Sequence, residues 1–213
     1  MNDATQLPQT YFRRQDESND ELFYTMPRLV VHIDDGAIRA LTALLAKLLP
    51  AGGVYLDLMS SWRSHLPDEL RPKRVVGLGL NGAEMADNPQ LDAFLVHNLN
   101  ETPTLPFQAA EFDAAVCTVS VQYMTNPLAV FQEVNRVLQP HGLFVLSFSN
   151  RCFPTKAIAA WLAGGDAQHL ALVQSYFTLS GNWTQPKSAA HTPRHADPLY
   201  VAWAYKLADL SNA

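Results

Sequence analysis

The sequence has few charged residues and no cluster of basic ones. Only 16% of its 213 residues are Asp, Glu, Lys or Arg, and the net charge is −5. Binding to nucleic-acid phosphates needs clustered Lys and Arg, so this composition argues against a dedicated nucleic-acid partner. Cysteine is also scarce, since Cys117 and Cys152 are the two present and no CxxC motif occurs. A redox pair or a cysteine-based zinc site is therefore not predicted, and no metal is expected.

Long apolar runs are absent as well. None reaches the about 20 residues that a helix needs to cross a bilayer, and the polar N-terminus has no apolar segment like that of a signal peptide. We therefore expect a cytoplasmic protein with no membrane partner, as a monomer or homodimer. Residues 1–20 are polar and without periodicity, which predicts a flexible arm before a single domain over residues 21–213.

Apolar strands and amphipathic helices alternate through that domain. Helices are predicted from Asp34 or Asp35 to Leu49, at 83–86, from Asn126 to Leu138, and over 155–179 with a break at Gly164. Strands are predicted at 54–57, 74–80, 94–97, 112–120, 143–149, 182–190 and 199–205, the last two as a hairpin-like pair. This order is typical of a Rossmann-like, doubly wound α/β fold with a mostly parallel seven-stranded sheet and helices on both faces.

The stretch VYLDLMSSWRSHLP, residues 54–67, is the most unusual part of the sequence. It predicts a buried strand that ends on the carboxylate of Asp57, followed by a turn without glycine, where Ser61 could cap a short helix. A buried acid needs a partner, and ligands of open α/β sheets bind outside the carboxyl ends of the strands. We therefore expect the ligand site at this turn.

The order and spacing of the segments resemble class I S-adenosylmethionine-dependent methyltransferases of the small-molecule type 11 kind, from about residue 23 to residue 206. The most specific part is LPFQAAEFDAAVCTVSVQYMTNPLAVFQEVNRVLQPHGLFVLSFSN, residues 105–150. It is similar to the family's fourth strand, the helix after it and the fifth strand. The chain is most similar to a subgroup in which DLMSSW replaces the glycine-rich loop. The resemblance implies the class I methyltransferase fold, S-adenosylmethionine as cofactor and methyl transfer to a small-molecule acceptor.

The resemblance also implies where the cofactor binds. Gly79 stands where the family has a ribose-binding acid, so Asn81, Glu84 or Asn100 would have to replace that contact. Asn98 stands at the adenine side. The implied cofactor-binding positions are Asp57, Met59, Ser60, Ser61, Gly79, Leu80, Asn81, Asn98, Leu99 and Ser120.

Two histidines, His32 and His65, flank the predicted cleft and are candidates for a general base, with a structural role as the alternative. Because the glycines and the ribose acid are both missing, a second hypothesis is a catalytically inactive binding or scaffold protein with weak or no cofactor affinity. Residues expected on the cap or substrate side are Tyr24, Arg28, Trp62, Gln122 and Tyr123.

Overall fold

The computed structural model describes residues 7–208, which form one seven-stranded sheet with the order β3-β2-β1-β4-β5-β7-β6. Strands β1 to β5 run parallel, and β7 is antiparallel to both β5 and β6. This confirms the predicted fold class. The strands are β1 (Val54–Leu58), β2 (Arg74–Gly79), β3 (Ala93–Val96), β4 (Phe112–Thr118), β5 (Leu138–Phe148), β6 (Lys187–His191) and β7 (Leu199–Tyr205).

Helices cover both faces of the sheet. Helix α2 begins where Asp34 Oδ1 accepts a hydrogen bond from Ala37 N–H at 2.9 Å, and its buried Leu41 and Leu45 pack on one face. On the opposite face, α4 and α6 bury an aromatic cluster around Phe131 and Phe177. The helices are α1 (Asp20–Phe23), α2 (Asp35–Leu48), α3 (Gly82–Ala86), α4 (Pro127–Val137), α5 (Ala159–Ala163) and α6 (Asp166–Ser180).

The strand order reverses between β1 and β4, the two central strands. Leu56 lies opposite Ala115 and Asp57 opposite Val116 in the parallel register of this pair. Chain connections leave such a pair in opposite directions, which opens a crevice at the carboxyl ends of the strands. The carboxyl end of β1, with Asp57 beside it, therefore faces the place where a ligand can enter.

The β1–β2 crossover, residues 59–73, differs from the predicted pattern because it contains no α-helix. Its one regular element is a 3-10 turn at Asp68–Leu70, so the helix that Ser61 could have capped is not formed. Asn88 Nδ2 donates to Ser61 O at 2.9 Å, and the side chain of Gln90 bonds both N–H and C=O of Leu66. These side-chain bonds to the backbone take the place of helical ones and hold the crossover across the end of β2.

The predicted N-terminal arm packs on the domain over its described part. Asp16 N–H donates to Thr155 O at 2.9 Å, and Lys156, which has 0% exposure, lies 3.1 Å from Asp16 Oδ2 and 3.2 Å from Asp20 Oδ1. A buried ammonium group needs such acidic partners, which explains why a polar segment is held here. Residues 1–6 of the predicted arm lie outside the described residues. Within residues 7–208, no helix is both long and apolar enough to cross a membrane.

Candidate functional site

A cleft of about 540 Å³ lies at the carboxyl ends of β1, β2 and β4. This volume is within the about 300–1,000 Å³ of small-molecule sites. Residues 20–33, which we call the covering segment, and the loop after β5, residues 150–156, both line the cleft and contact each other through Phe23 and Phe153. The predicted cofactor positions all line the cleft, namely Asp57, Met59, Ser60, Ser61, Gly79, Leu80, Asn81, Asn98, Leu99 and Ser120.

Asp57, on β1, lines the cleft and is only 2% exposed. The hydroxyl groups of Ser60 and Ser64 each donate to its Oδ2 at 2.6 Å. Burial raises the pKa of Asp57 to about 6, and the two hydroxyl donors offset part of that increase. Asp57 is therefore a carboxyl group whose ionisation responds to pH and to a nearby ligand charge.

The turn after Asp57 explains why glycine stands at position 79. Met59 adopts a left-handed conformation with φ of 55°, and Ser60 N–H donates to Leu78 O at 2.8 Å. In this conformation, a Cβ atom at position 79 would overlap the carbonyl oxygen of Ser60. Gly79 can therefore carry no side chain while the turn keeps this shape. The shape of the turn after β1 and the absence of a side chain at position 79 are therefore coupled.

Of the residues that could replace the ribose contact, two are committed to other bonds. Asn81 caps α3 by accepting from Ala83 N–H and Glu84 N–H at 3.0 Å, and its Nδ2 donates to Tyr24 O at 2.8 Å. Asn100 Nδ2 donates to Asp20 Oδ2 at 2.8 Å.

Glu84 lines the cleft near the end of β2, and its carboxylate can accept further hydrogen bonds. It is 5% exposed, and it accepts from Arg28 N–H at 2.7 Å and from Ser61 Oγ at 2.5 Å. A carboxylate offers about four acceptor positions, so these two bonds leave room for hydroxyl groups of a ligand.

Asn98 carries a buried donor that has no acceptor. Its Oδ1 accepts from Asn100 N–H at 3.1 Å, whereas within residues 7–208 nothing accepts from its Nδ2. Buried polar groups are normally hydrogen-bonded, so an unused donor at a cleft wall points to a ligand acceptor. Leu99 beside it is buried and supplies an apolar wall.

His32 and His65, the predicted bases, both line the cleft. Burial lowers the pKa of His32, whose ring packs edge-on against Phe153 with centroids 5.4 Å apart. Burial also lowers the pKa of His65, and the charges of Arg63 and His32 lower it further. Burial therefore favours the neutral form of both imidazoles, which is the form a general base requires.

Of the residues expected on the cap or substrate side, Gln122 alone does not line the cleft. It is 1% exposed, and its Nε2 donates to Val119 O at 2.8 Å, so its amide satisfies the backbone at the end of β4. Tyr123 does line the cleft, where its hydroxyl accepts from Phe153 N–H at 2.8 Å. Trp62 also lines it, and its Nε1 donates to Val30 O at 2.8 Å, which ties the crossover to the covering segment.

Several cleft residues were missed from the sequence. Arg14, Asp20 and Lys156 line the cleft as a buried charged group, and nothing in the aperiodic polar N-terminus indicates that pairing. Cys152 and Phe153 also line it, directly after β5. A signal for these two did exist, because residues that follow a parallel strand lie at the same sheet edge as those that follow β1.

Comparison with known proteins agrees with this architecture. A family described as a methyltransferase domain matches residues 64–146. A curated relative, the biotin biosynthesis bifunctional protein BioHC of Teredinibacter turnerae, is 40% identical over 50 residues. That match covers 24% of this chain and only 9% of the relative, so the chain spans a small part of that protein.

Three solved structures with the same fold share little sequence with this chain. A methyltransferase of Thermotoga maritima is 13% identical, with 80% of this chain and 89% of that chain covered at a TM-score of 0.58. A methyltransferase of Haloferax volcanii, solved with the activator Trm112, is 17% identical, with 79% and 89% covered at 0.57. The [4+2]-cyclase SpnF is 14% identical, with 86% and 89% covered at 0.56.

Identities this low show the fold alone, and the SpnF cyclase illustrates that one fold can serve more than one reaction. The strand order and the family match are nevertheless in agreement with each other. Together they show the class I methyltransferase fold, with a central region, residues 64–146, that is similar to the methyltransferase domain family.

Proposed function

We propose that this protein is an S-adenosylmethionine-dependent methyltransferase that acts on a small-molecule acceptor. The observation that carries the proposal is the cleft at the carboxyl ends of β1, β2 and β4, which stays open although the turn after β1 is rebuilt. The enclosure by the covering segment and the net charge of −5 favour a small acceptor over a nucleic acid.

The residues of the cleft fit the cofactor in a rearranged way. The unused Nδ2 of Asn98 is a donor for a ring nitrogen of adenine, with Leu99 as the apolar wall beside it. Glu84 supplies the carboxylate for the ribose hydroxyls, because Gly79 has no space for one. Asp57 supplies a negative charge for the ammonium group at the amino-acid end.

The chain's own residues then have limited chemical tasks. The cofactor supplies an activated methyl group on a sulfonium, and its transfer depends mainly on proximity and alignment with the acceptor atom. His32 or His65, held neutral by burial, takes the proton that the acceptor loses. Trp62 and Asn81 hold the covering segment at the cleft by donating hydrogen bonds to its backbone at Val30 and Tyr24.

The proposal is tested by transfer of a radiolabelled methyl group from S-adenosylmethionine to a bacterial extract divided into low-molecular-weight and macromolecular fractions. We expect label in the low-molecular-weight fraction with the wild-type chain, and about 100-fold less with a His32→Ala, His65→Ala double variant. Asp57→Asn should transfer about tenfold less label when the cofactor is below saturation. Transfer to the macromolecular fraction alone would overturn the small-molecule acceptor. Binding of the cofactor without transfer of label to either fraction would overturn the proposed methyltransferase activity.

A further inference from the structure

Four arginines line the cleft, and three of them have a carboxylate partner. Arg14 Nη1 lies 2.6 Å from Asp20, Arg151 Nε lies 2.9 Å from Asp197, and Arg63 Nη1 lies 3.5 Å from Asp87. Arg28 is the fourth, and within residues 7–208 no carboxylate lies within 4.0 Å of its guanidinium group. Its backbone N–H, rather than its side chain, bonds Glu84.

The guanidinium group of Arg28 is nevertheless held firmly in place. Its Nη2 donates to Phe23 O at 2.8 Å, and its carbon lies 4.4 Å above the ring centroid of Phe23. The rings of Tyr24 and Phe153 flank it at 5.4 Å each. Aromatic faces attract a guanidinium group but leave its in-plane donors unused.

One of those donors is left over. Nη1 of Arg28 is buried, and the described part of the chain provides no acceptor for it. A buried cationic donor without an acceptor is costly, which makes it a candidate contact for another molecule. Because Arg28 lines the cleft, a molecule in the cleft can supply the acceptor.

We propose that Arg28 forms a carboxylate-binding subsite of the cleft, with Phe153 and Tyr24 as apolar walls for a planar group. A guanidinium fork matches a carboxylate in geometry and charge. The carboxylate belongs either to the methyl acceptor, which would then be a small aromatic or unsaturated acid, or to the amino-acid end of the cofactor. The assignment to an acceptor rests on the proposed function, whereas the subsite itself can be tested without catalysis.

The experiment measures binding of matched probes by calorimetry on the full chain. Benzoate and benzamide differ in charge and share their shape, while S-adenosylhomocysteine carries a carboxylate that 5′-methylthioadenosine lacks. Each probe is titrated into the wild type, Arg28→Met and Arg28→Lys. Arg151→Met serves as a control for loss of a paired arginine at the cleft edge. Thermal melting of each variant identifies one that does not fold, and Arg28→Lys keeps the charge if Arg28→Met fails.

If the carboxylate belongs to the methyl acceptor, benzoate should bind more tightly than benzamide. Arg28→Met should then weaken benzoate binding by about 10- to 100-fold, and Arg28→Lys should retain part of the affinity. A cofactor subsite predicts a similar loss for S-adenosylhomocysteine with methylthioadenosine unchanged. The subsite is overturned if Arg28→Met alters none of these affinities, or no more than Arg151→Met does. Selective benzoate binding with no binding of either adenosine compound would reject the proposed function and retain the subsite.

Discussion

The two sides of the cleft are built by different means. On the β4–α4–β5 side, parallel pairing and a core of fully buried aromatic rings, such as Phe131 and Phe144, hold the backbone. On the β1–β2 side, the crossover has no helix, and side-chain hydrogen bonds from Ser64 and Asn88 hold it. We expect the first side to contribute most of the stability and the second to tolerate changes at the cleft. The turn after β1 could therefore be rebuilt without loss of the fold.

The largest effect is expected from Phe131→Ala on the stable side. Phe131 is fully buried among Phe144, Tyr176 and Phe177, so its truncation should lower the free energy of unfolding by about 3–5 kcal/mol. Urea denaturation measures the loss, with the exposed Gln132→Ala on the same helix as control. Ligand affinity of the folded fraction should not change. A loss below about 1 kcal/mol would mean that this side does not carry the stability.

Gly79→Ala tests the link between the turn and the missing acid. The added Cβ would collide with the backbone carbonyl of Ser60, and relief of that contact requires the turn to move. We expect about 2–3 kcal/mol of destabilisation in urea denaturation, together with altered cofactor affinity. Gly82→Ala is the matched control, since its nearest neighbour is a Val96 methyl at 3.3 Å. Equal effects of the two substitutions would contradict the coupling.

Asp57→Asn separates stability from binding. The pKa of Asp57 is raised from 3.8 to about 6 in the folded state, so the folded state binds the proton more tightly than the unfolded state does. The stabilisation from this proton is complete below pH 3.8 and is lost as pH rises through about 6. As pH rises from 3.8 to above 6, the free energy of unfolding of the wild type should fall by roughly 1–3 kcal/mol because of this group alone. Asp57→Asn should not show that decrease.

Urea denaturation at several pH values between about 4 and 7.5 measures this difference, with the exposed Asp68→Asn as control. The same Asp57→Asn variant should bind S-adenosylhomocysteine about tenfold less tightly at neutral pH, because it lacks the charge that faces the ammonium group. Parallel stability curves for wild type and variant would show that Asp57 titrates normally.

Trp62→Phe should have the smallest effect and a local one. It removes the hydrogen bond to Val30 O, which costs about 0.5–1.5 kcal/mol. Hydrogen exchange should accelerate in the covering segment and stay unchanged in β4 and β5. Trp203→Phe, on β7, serves as control. Faster exchange throughout the sheet would mean that the covering segment is part of the global folding unit.

The contrast between the two sides of the cleft also explains which features could be predicted from the sequence. The apolar runs of β1, β2, β4 and β5 and the caps of α2 and α4 appear directly in the sequence, because burial and capping depend on local residue patterns. The cleft position followed from the strand order. Other features depend on contacts that the local pattern does not contain. They are the collision of Ser60 with a side chain at position 79, the anchoring of Asp16 and Asp20 by Lys156, and the inward orientation of Gln122. Periodicity contains no information about them.

Calorimetric titration of S-adenosylhomocysteine into the wild-type chain and Glu84→Gln tests the central claim most directly. If the rebuilt turn has moved the ribose contact to Glu84, the wild type should bind with a micromolar dissociation constant. Glu84→Gln should then bind about 10- to 100-fold more weakly. Absence of binding to the wild type up to about 1 mM, a free energy of about −4.1 kcal/mol, would contradict the account and favour the inactive scaffold.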